Sequence, residues 1–476
     1  MMKGPKDKVA KAQFTIDEIL KATGGELVRV GAARAVKGIS IDTRTMKKGE
    51  LYIAIIGKSL DGHRFVAQAV KRGAPVVVVS QTEPVAHRRA LAKRGAVVVR
   101  VPDTTRALGD IAAFHRRRFA PHVFGIAGSN GKSTTKEMLA AILGQRLCVL
   151  KPKSSFNNDI GVPLTVLELT SDVQAAVVEM EMNILGGIRR LCEIAQPRTG
   201  IITNIGDTHL EFLHDRAGVA QEKSELIEYI NGNGTAVLNA DDPRVMEIGR
   251  KFPTRDVVRF GVEKKADIHA TRVRDMGLDG VTFRLNNEAE IHLSALGMHN
   301  VVNALAAAAA AQVAGLRLAD IVAGLSAYRP LPLRLQVEHF AGLRVIADCY
   351  NANPQSMAVA LAVLERTGKG RRIAVLGDML ELGAAAAEAH RRVGRQAGEV
   401  ADLVLVKGQF CRDVALGARA AGLKPKAIVC AQETTAIVEK LVDTVQSGDT
   451  ILVKGSRANR LEEVVQGLKA DYGKKD

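Results

Sequence analysis

Gly128-Ser129-Asn130-Gly131-Lys132-Ser133-Thr134 stands between an apolar run, 123–127, and a segment, 135–143, whose apolar residues recur at helical spacing. A strand that feeds a glycine-rich turn into a helix start aims backbone N–H groups and the positive end of the helix dipole at one point, and Lys132 adds a cation there. That is the chemistry of a phosphate cradle, and it predicts a nucleoside triphosphate as ligand. The strict spacing of the common phosphate loop is not met, because Ile126 stands where its first glycine belongs and the glycines fall at Gly125 and Gly128. A loop variant is expected. Glu179 closes the apolar run 175–178, where a carboxylate can hold Mg²⁺ together with the Ser133 hydroxyl; the alternative is a strand-terminal glutamate facing solvent. His209, just past the apolar run 200–205, reads either as a metal ligand or as a hydrogen-bonded structural histidine. Lys223, between Glu222 and Glu225, reads from spacing alone as a surface lysine on an acidic helix.

The elements that must position these groups form three segments of an α/β chain. In 120–332, buried strands at 123–127, 175–179, 200–205 and 235–239 alternate with helical stretches, which predicts a parallel sheet with active residues at its carboxyl ends. The first segment, 1–119, mixes a capped helix near 14–20 with short strands such as 51–56 and reads as a small α/β unit. The last, 333–476, repeats the pattern with strands at 344–349, 372–376, 402–406, 426–430 and 450–453, a second doubly wound sheet of Rossmann-like type. It has no glycine-rich phosphate fingerprint of its own, so a dinucleotide is disfavoured. The alanine tracts around Ala304 and Ala384 read as helices of high propensity.

Composition bounds the function classes. At 476 residues and 47% hydrophobic content the chain divides into about three domains of ordinary size. The charged start lacks the apolar core of a secretory signal, and the longest apolar stretch, 304–315, is too short to span a bilayer, so no membrane insertion and a cytoplasmic location are expected. Cys148, Cys192, Cys349, Cys411 and Cys430 show no paired spacing and are expected as free thiols. A net charge of +16 favours polyanionic ligands, nucleic acid among them, but aromatics are only 4% with no tryptophan, which leaves few stacking platforms for single strands. The basic clusters Arg116-Arg117-Arg118 and 469–475 read instead as a solvated helix face and a tail, and no nucleic-acid partner is expected.

The phosphate loop is followed, in order, by Asn157-Asn158-Asp159-Ile160-Gly161, Glu179, Asn204 with His209, Lys223-Ser224-Glu225, Asn239-Ala240-Asp241-Asp242 and Gly297-Met298-His299-Asn300-Val301-Val302-Asn303. This series resembles the motifs of the Mur ligases over nearly the whole chain. The flanking motifs Ser40-Ile41-Asp42-Thr43-Arg44, Asp61-Gly62-His63, Asp348-Cys349-Tyr350-Asn351-Ala352-Asn353, Leu376–Gly383 and Lys454-Gly455-Ser456-Arg457 resemble those of the member that adds D-alanyl-D-alanine to a UDP-N-acetylmuramoyl-tripeptide.

The resemblance implies a three-domain ligase: 1–119 binding the UDP-sugar peptide, 120–332 binding ATP, and 333–476 completing the site. It implies that ATP is held by Gly128, Ser129, Asn130, Gly131, Lys132, Ser133, Thr134, Asn239, His299, Asn300, Asn303, Arg334 and Asp348. The substrates would meet Ser40, Asp42, Thr43, Arg44, Asp61, Gly62, His63, Asn157, Asn158, Asn351 and Asn353. Mg²⁺ would be held by Ser133, Glu179, His209 and Lys223, the last as a carbamate formed with CO₂, and Lys132, His209 and Lys223 would carry the catalysis. The implied reaction proceeds through an acyl phosphate in a monomer whose third domain swings onto the nucleotide. Three positions depart from the family pattern: Glu181 and Leu333 stand where glycine is common, and Gly186-Gly187 replaces a Gly-Glu pair.

Overall fold

The computed structural model describes residues 12–80, 91–153, 155–367 and 370–472. The chain divides into two compact units: residues 1–125, 147–182 and 186–199 make one, and residues 126–146, 183–185 and 200–476 the other.

In the first unit Thr15 caps the helix Ile16–Thr23 reciprocally with Glu18, as the sequence suggests. A five-stranded sheet follows, in the order Glu26–Arg29, Val97–Arg100, Val76–Val79, Leu51–Ile53, Ile39–Ser40. Its centre is Val76–Val79, buried at every position, the pattern of a strand covered on both faces. The basic run at 116–118 is only partly a solvated face, with Arg117 and Arg118 exposed. Arg116 is buried and donates to the carbonyls of Ala195, Phe119, Pro121 and Gln196, while Arg118 lies over the Phe14 and Phe114 rings and pairs with Glu18. A guanidinium can be buried when its N–H groups find carbonyls, and two of these, on Ala195 and Gln196, lie far along the chain.

In the second unit a sheet runs in the order Thr235–Asn239, Asp256–Gly261, Ile268–Asp275, Val281–Leu285, Ala289–Leu293, and in the first unit Ala175–Glu179 pairs parallel with Val149–Leu150. The strands predicted at 175–179 and 235–239 fall at those residues, because a fully buried parallel strand is an unbroken apolar run. The sheet is not parallel throughout. From Ile268 to Leu293 three strands pair antiparallel, joined by short turns.

Also in the second unit, the helix His299–Val313 packs on the helix Lys132–Leu143, with Ala304 and Ala306 to Ala311 all fully buried. Alanine along that face lets the two helices approach closely. A six-stranded sheet runs in the order Gln336–Phe340, Leu343–Asp348, Thr450–Lys454, Arg372–Gly377, Leu403–Lys407, Ile428–Ala431, parallel except for its first pair.

The expectation of five free thiols is not met. Cys411, at the start of the helix Cys411–Ala420, forms a disulfide with Cys430 on the neighbouring strand, while among the described residues Cys148, Cys192 and Cys349 form no disulfide. The pair is brought together by strand order, which a separation of 19 positions in sequence does not reveal. The basic tail is likewise only partly a tail: Lys469 lies on the helix Glu462–Tyr472 and pairs with Glu338, and residues 473–475 fall outside the described residues.

Candidate active site

The phosphate loop lies between the strand His122–Ala127 and the helix Lys132–Leu143. Two of its glycines are required by close approach. Gly128 and Gly131 have φ of 133° and 83°, and a Cβ would stand 2.1 Å from Thr203 Oγ1 and 2.1 Å from Asn303 Oδ1, respectively. The loop is fastened to the segment that follows the strand Thr199–Ile202. Asn130 N–H donates to Asn204 Oδ1 at 2.9 Å, Thr203 Oγ1 donates to Asn130 O at 2.6 Å, and Gly206 N–H donates to Ser129 Oγ at 2.8 Å. Lys132 is buried and its Nζ donates to Gly128 O at 2.7 Å, which holds the cation at the mouth of the loop.

Groups from beyond residue 333 reach the same loop. Arg334 Nη2 donates to Ser133 Oγ at 3.0 Å, with its guanidinium 4.3 Å from the Tyr350 ring centre. Asn353 Nδ2 donates to Asn130 Oδ1 at 2.8 Å, and Asn130 Nδ2 donates to Gln355 Oε1 at 2.9 Å. Asn353 is also the N-cap of the helix Pro354–Arg366, so a single residue starts that helix and reaches the loop. Gln355 was not among the expected site residues. Its only sequence signal is its place in the cap motif Asn353-Pro354-Gln355-Ser356.

A cavity of about 410 Å³ opens beside the loop, lined by Asn130, Gly131, Asn204, Arg216, Asn239, Arg244, His299, Asn303 and Gln355 among others. That volume and polar lining suit a nucleotide. Asn239 is held by Thr203 O, Asn300 by Leu296 O and Asn303 by Asn300 Oδ1, so these amides are fixed in orientation. Loss of water pushes His299 down to about 4, with Asp348 opposing and Lys454 adding to the fall. Asp348 pairs with the buried Lys454 at 2.7 Å and accepts from Leu335 N–H at 3.3 Å. Asn351 O accepts from the same lysine.

His209 Nδ1 stands 2.5 Å from Glu381 Oε2. Lys223 is not the surface lysine that spacing suggests: it is fully buried, its Nζ 2.7 Å from Glu222 Oε2.

In the first unit Glu179 is buried rather than facing solvent, and Asn157 Nδ2 donates to both Glu179 Oε1 at 2.8 Å and Glu181 Oε2 at 3.0 Å. Glu181 N–H returns to Asn157 O at 2.9 Å, so the extra carboxylate is built into the same loop. Asn158 Oδ1 accepts from the Ile160 and Gly161 N–H groups just before and at the start of the helix Gly161–Val166. The expected sugar-binding motifs form tight turns. Asp42 holds Arg44 through both oxygens, Ser40 Oγ accepts from Asp42 N–H, and Thr43 Oγ1 donates to Gln68. Asp61 bonds His63 Nδ1 at 2.7 Å and Ser80 N–H donates to His63 Nε2 at 3.0 Å, so both ring nitrogens of His63 are engaged. Gly62 has no room for a side chain, with Ile55 O 2.7 Å from where its Cβ would be.

A glycine-rich cradle at the carboxyl end of a parallel sheet, met by an arginine and an amide from a second sheet, defines a phosphate-loop enzyme of the α/β class. Comparison with known proteins places it more narrowly. The Mur ligase middle domain matches residues 126–311, the Mur ligase glutamate ligase domain residues 333–457, and the Mur ligase family catalytic domain residues 35–116. The chain belongs to the Mur ligase family. It is 33% identical to the UDP-N-acetylmuramoyl-tripeptide--D-alanyl-D-alanine ligase of Bacillus subtilis, covering 95% of this chain and 98% of that one. Among solved structures it is similar to MurF from Acinetobacter baumannii, with a TM-score of 0.87, 31% identity and 96% and 99% of the two chains covered. A MurF ligase from Thermotoga maritima in complex with ADP matches with a TM-score of 0.79 and 26% identity over 92% and 98%.

Proposed function

We propose that this chain is an ATP-dependent ligase that joins D-alanyl-D-alanine to a UDP-N-acetylmuramoyl-tripeptide in the cytoplasm, as a monomer, yielding the pentapeptide precursor of peptidoglycan. The observation that carries the reading is the convergence of Arg334, Asn353 and Gln355 on the loop that holds Lys132, in a chain a third identical, end to end, to ligases of that name. The ADP complex of the Thermotoga maritima relative supports ATP as the nucleotide.

A carboxylate and an amine do not condense at neutral pH, because the carboxylate is a poor electrophile with a poor leaving group. ATP removes that obstacle: the tripeptide carboxylate attacks the γ-phosphate, ADP leaves, and the dipeptide amine then attacks the acyl phosphate and expels phosphate. Two anions must meet in the first step. Lys132, the loop N–H groups and the start of the Lys132–Leu143 helix stabilise the charge that develops, and Arg334 brings a second cation. His299, kept neutral, and the fixed amides of Asn300 and Asn303 suit adenine, which offers both donors and acceptors. Residues 1–119, 120–332 and 333–476 are assigned as the sugar, ATP and ligase domains. In the first of these Arg44, whose side chain is 85% exposed, is the cation offered to the UDP pyrophosphate by the Ser40 to Arg44 turn, beside the Asp61–His63 turn.

The donors present fit Mg²⁺. Ser133 Oγ and His209 would offer it an oxygen and a nitrogen in the second unit, and in the first unit the buried Glu179 carboxylate would offer an oxygen. Bound there, the ion would neutralise phosphate charge. A carbamate on Lys223 does not fit as well. Its Nζ faces Glu222 in a fully buried site, and a new carboxylate there would meet an existing one. The acyl phosphate route needs no such group.

The purified chain is expected to release ADP only when UDP-tripeptide and D-alanyl-D-alanine are both present, and to form one product heavier than the tripeptide by the dipeptide less water. ATP turnover stimulated by DNA or RNA, with no such product, would overturn the reading.

A further inference from the structure

We infer that Glu381 is a positioning residue for His209, so that the loop at the carboxyl end of the second sheet sets the geometry of the segment behind the phosphate loop. Its effect on turnover rests on the ligase reading above; the contact itself does not. Glu381 follows the strand Arg372–Gly377 and stands 172 positions from its partner. It takes hold of the His209–Leu213 stretch twice. Its Oε2 lies 2.5 Å from His209 Nδ1, and its carbonyl accepts from Glu211 N–H at 3.1 Å.

Both residues adopt the left-handed backbone region, His209 at φ 55° and Glu381 at φ 60°. Neither residue type enters that region without cost, and such outliers persist where surrounding structure fixes them. Gly383 lets the loop lie against Glu211, since a Cβ there would come within 3.3 Å of Glu211 Cα. The base of the loop is pinned independently. Asp378 accepts from Gln409 and Phe410 N–H, Met379 N–H donates to His390 Nε2, and Leu380 N–H donates to Ser456 Oγ. A rigid loop therefore delivers one carboxylate to one imidazole.

The chemical consequence follows from the ring. A carboxylate accepting from Nδ1–H makes Nε2 the lone-pair nitrogen of the neutral imidazole, and it fixes the plane of the ring. The segment it steadies is the one whose Thr203, Asn204 and Gly206 are bonded to the phosphate loop. His209 thus has its tautomer set from a separate sheet.

The test uses the full chain, ¹⁵N-labelled at histidine, with the His209 signals assigned by their absence from H209Q. Long-range ¹H–¹⁵N spectra of the wild type are expected to show His209 as the Nδ1–H tautomer. Glu381→Ala is expected to shift His209 toward the Nε2–H form and to lower kcat 10- to 100-fold, with KM for ATP within about threefold. Glu381→Gln, which keeps an acceptor oxygen, is expected to restore the tautomer and most of kcat. An unchanged His209 spectrum in a folded Glu381→Ala would overturn the inference, as would wild-type kcat in that variant. Should Glu381→Ala fail to fold, Glu381→Gln with a wild-type spectrum and kcat supports the inference, and loss of the Nδ1–H tautomer in it contradicts it. Because the spectra need no substrate, a chain without ligase activity would still report on the pairing.

Discussion

Burial drives the His299 imidazole to a pKa of about 4, against about 6.5 for an ordinary histidine. The ring is therefore neutral at about pH 7, and can donate from one nitrogen and accept at the other. The same shift couples to stability, and the sign is fixed. Between about 6.5 and about 4 the unfolded chain takes up a proton that the native ring refuses, so native stability falls as pH drops through that window. Below it the histidine causes no further loss. Urea unfolding at about pH 7.5 and about pH 4.5 should show a smaller acid loss in His299→Gln than in the wild type. Equal losses would mean that the ring titrates normally. Among single residues the phosphate loop was legible, and Glu179 and His209 stand out as candidates by type and position. Lys223 and Arg116 misled, because a buried cation and a solvated one look alike in sequence: Lys223 is buried beside its neighbour Glu222, and two of the carbonyls that hold Arg116 lie 79 and 80 residues away. Gln355 was invisible for the same reason, its partner Asn130 lying 225 positions off.

The turn that carries Arg334 is strained on both sides. Leu333 at φ 59° and Leu335 at φ 48° occupy the left-handed region, which costs an L-residue about 1–2 kcal/mol. The turn is held there by Tyr350 N–H on Leu333 O at 3.2 Å and by Asp348 on Leu335 N–H at 3.3 Å. Leu333→Gly relieves the strain but frees the unfolded chain and loses the contact of Leu333 with the core of the second sheet, so its net effect should lie within about 1 kcal/mol. Leu333→Val, β-branched, should be less stable than the glycine variant by about 1–2 kcal/mol in denaturant midpoints. Equal stability of the two would show that the turn stores no such strain. Element types were readable where burial is complete, as at Ala175–Glu179 and Thr235–Asn239, since an apolar run flanked by polar turns permits little else. The antiparallel extension Ile268–Leu293 was not, because strand direction is decided by pairing. The Cys411–Cys430 bond was hidden in the same way.

For the molecule as a whole, the charge of +16 taken alone admits a nucleic-acid partner. The structure spends part of that charge internally: Arg116 on carbonyls, Arg118 on Glu18, Lys454 on Asp348 and Arg371 on Asp449. The remaining field suits small polyanions, and ATP and a UDP-sugar are both of that kind. In the proposed reaction, three segments of one chain transfer an oxygen from an unreactive carboxylate to phosphorus. The most direct measurement follows that oxygen. With ¹⁸O in both carboxylate oxygens of the tripeptide's terminal residue, one turnover with ATP and D-alanyl-D-alanine should place one ¹⁸O in the released phosphate and leave one in the new amide. Phosphate that carries no ¹⁸O while the pentapeptide forms would contradict attack on the γ-phosphate, and with it the role assigned to Lys132 and its loop.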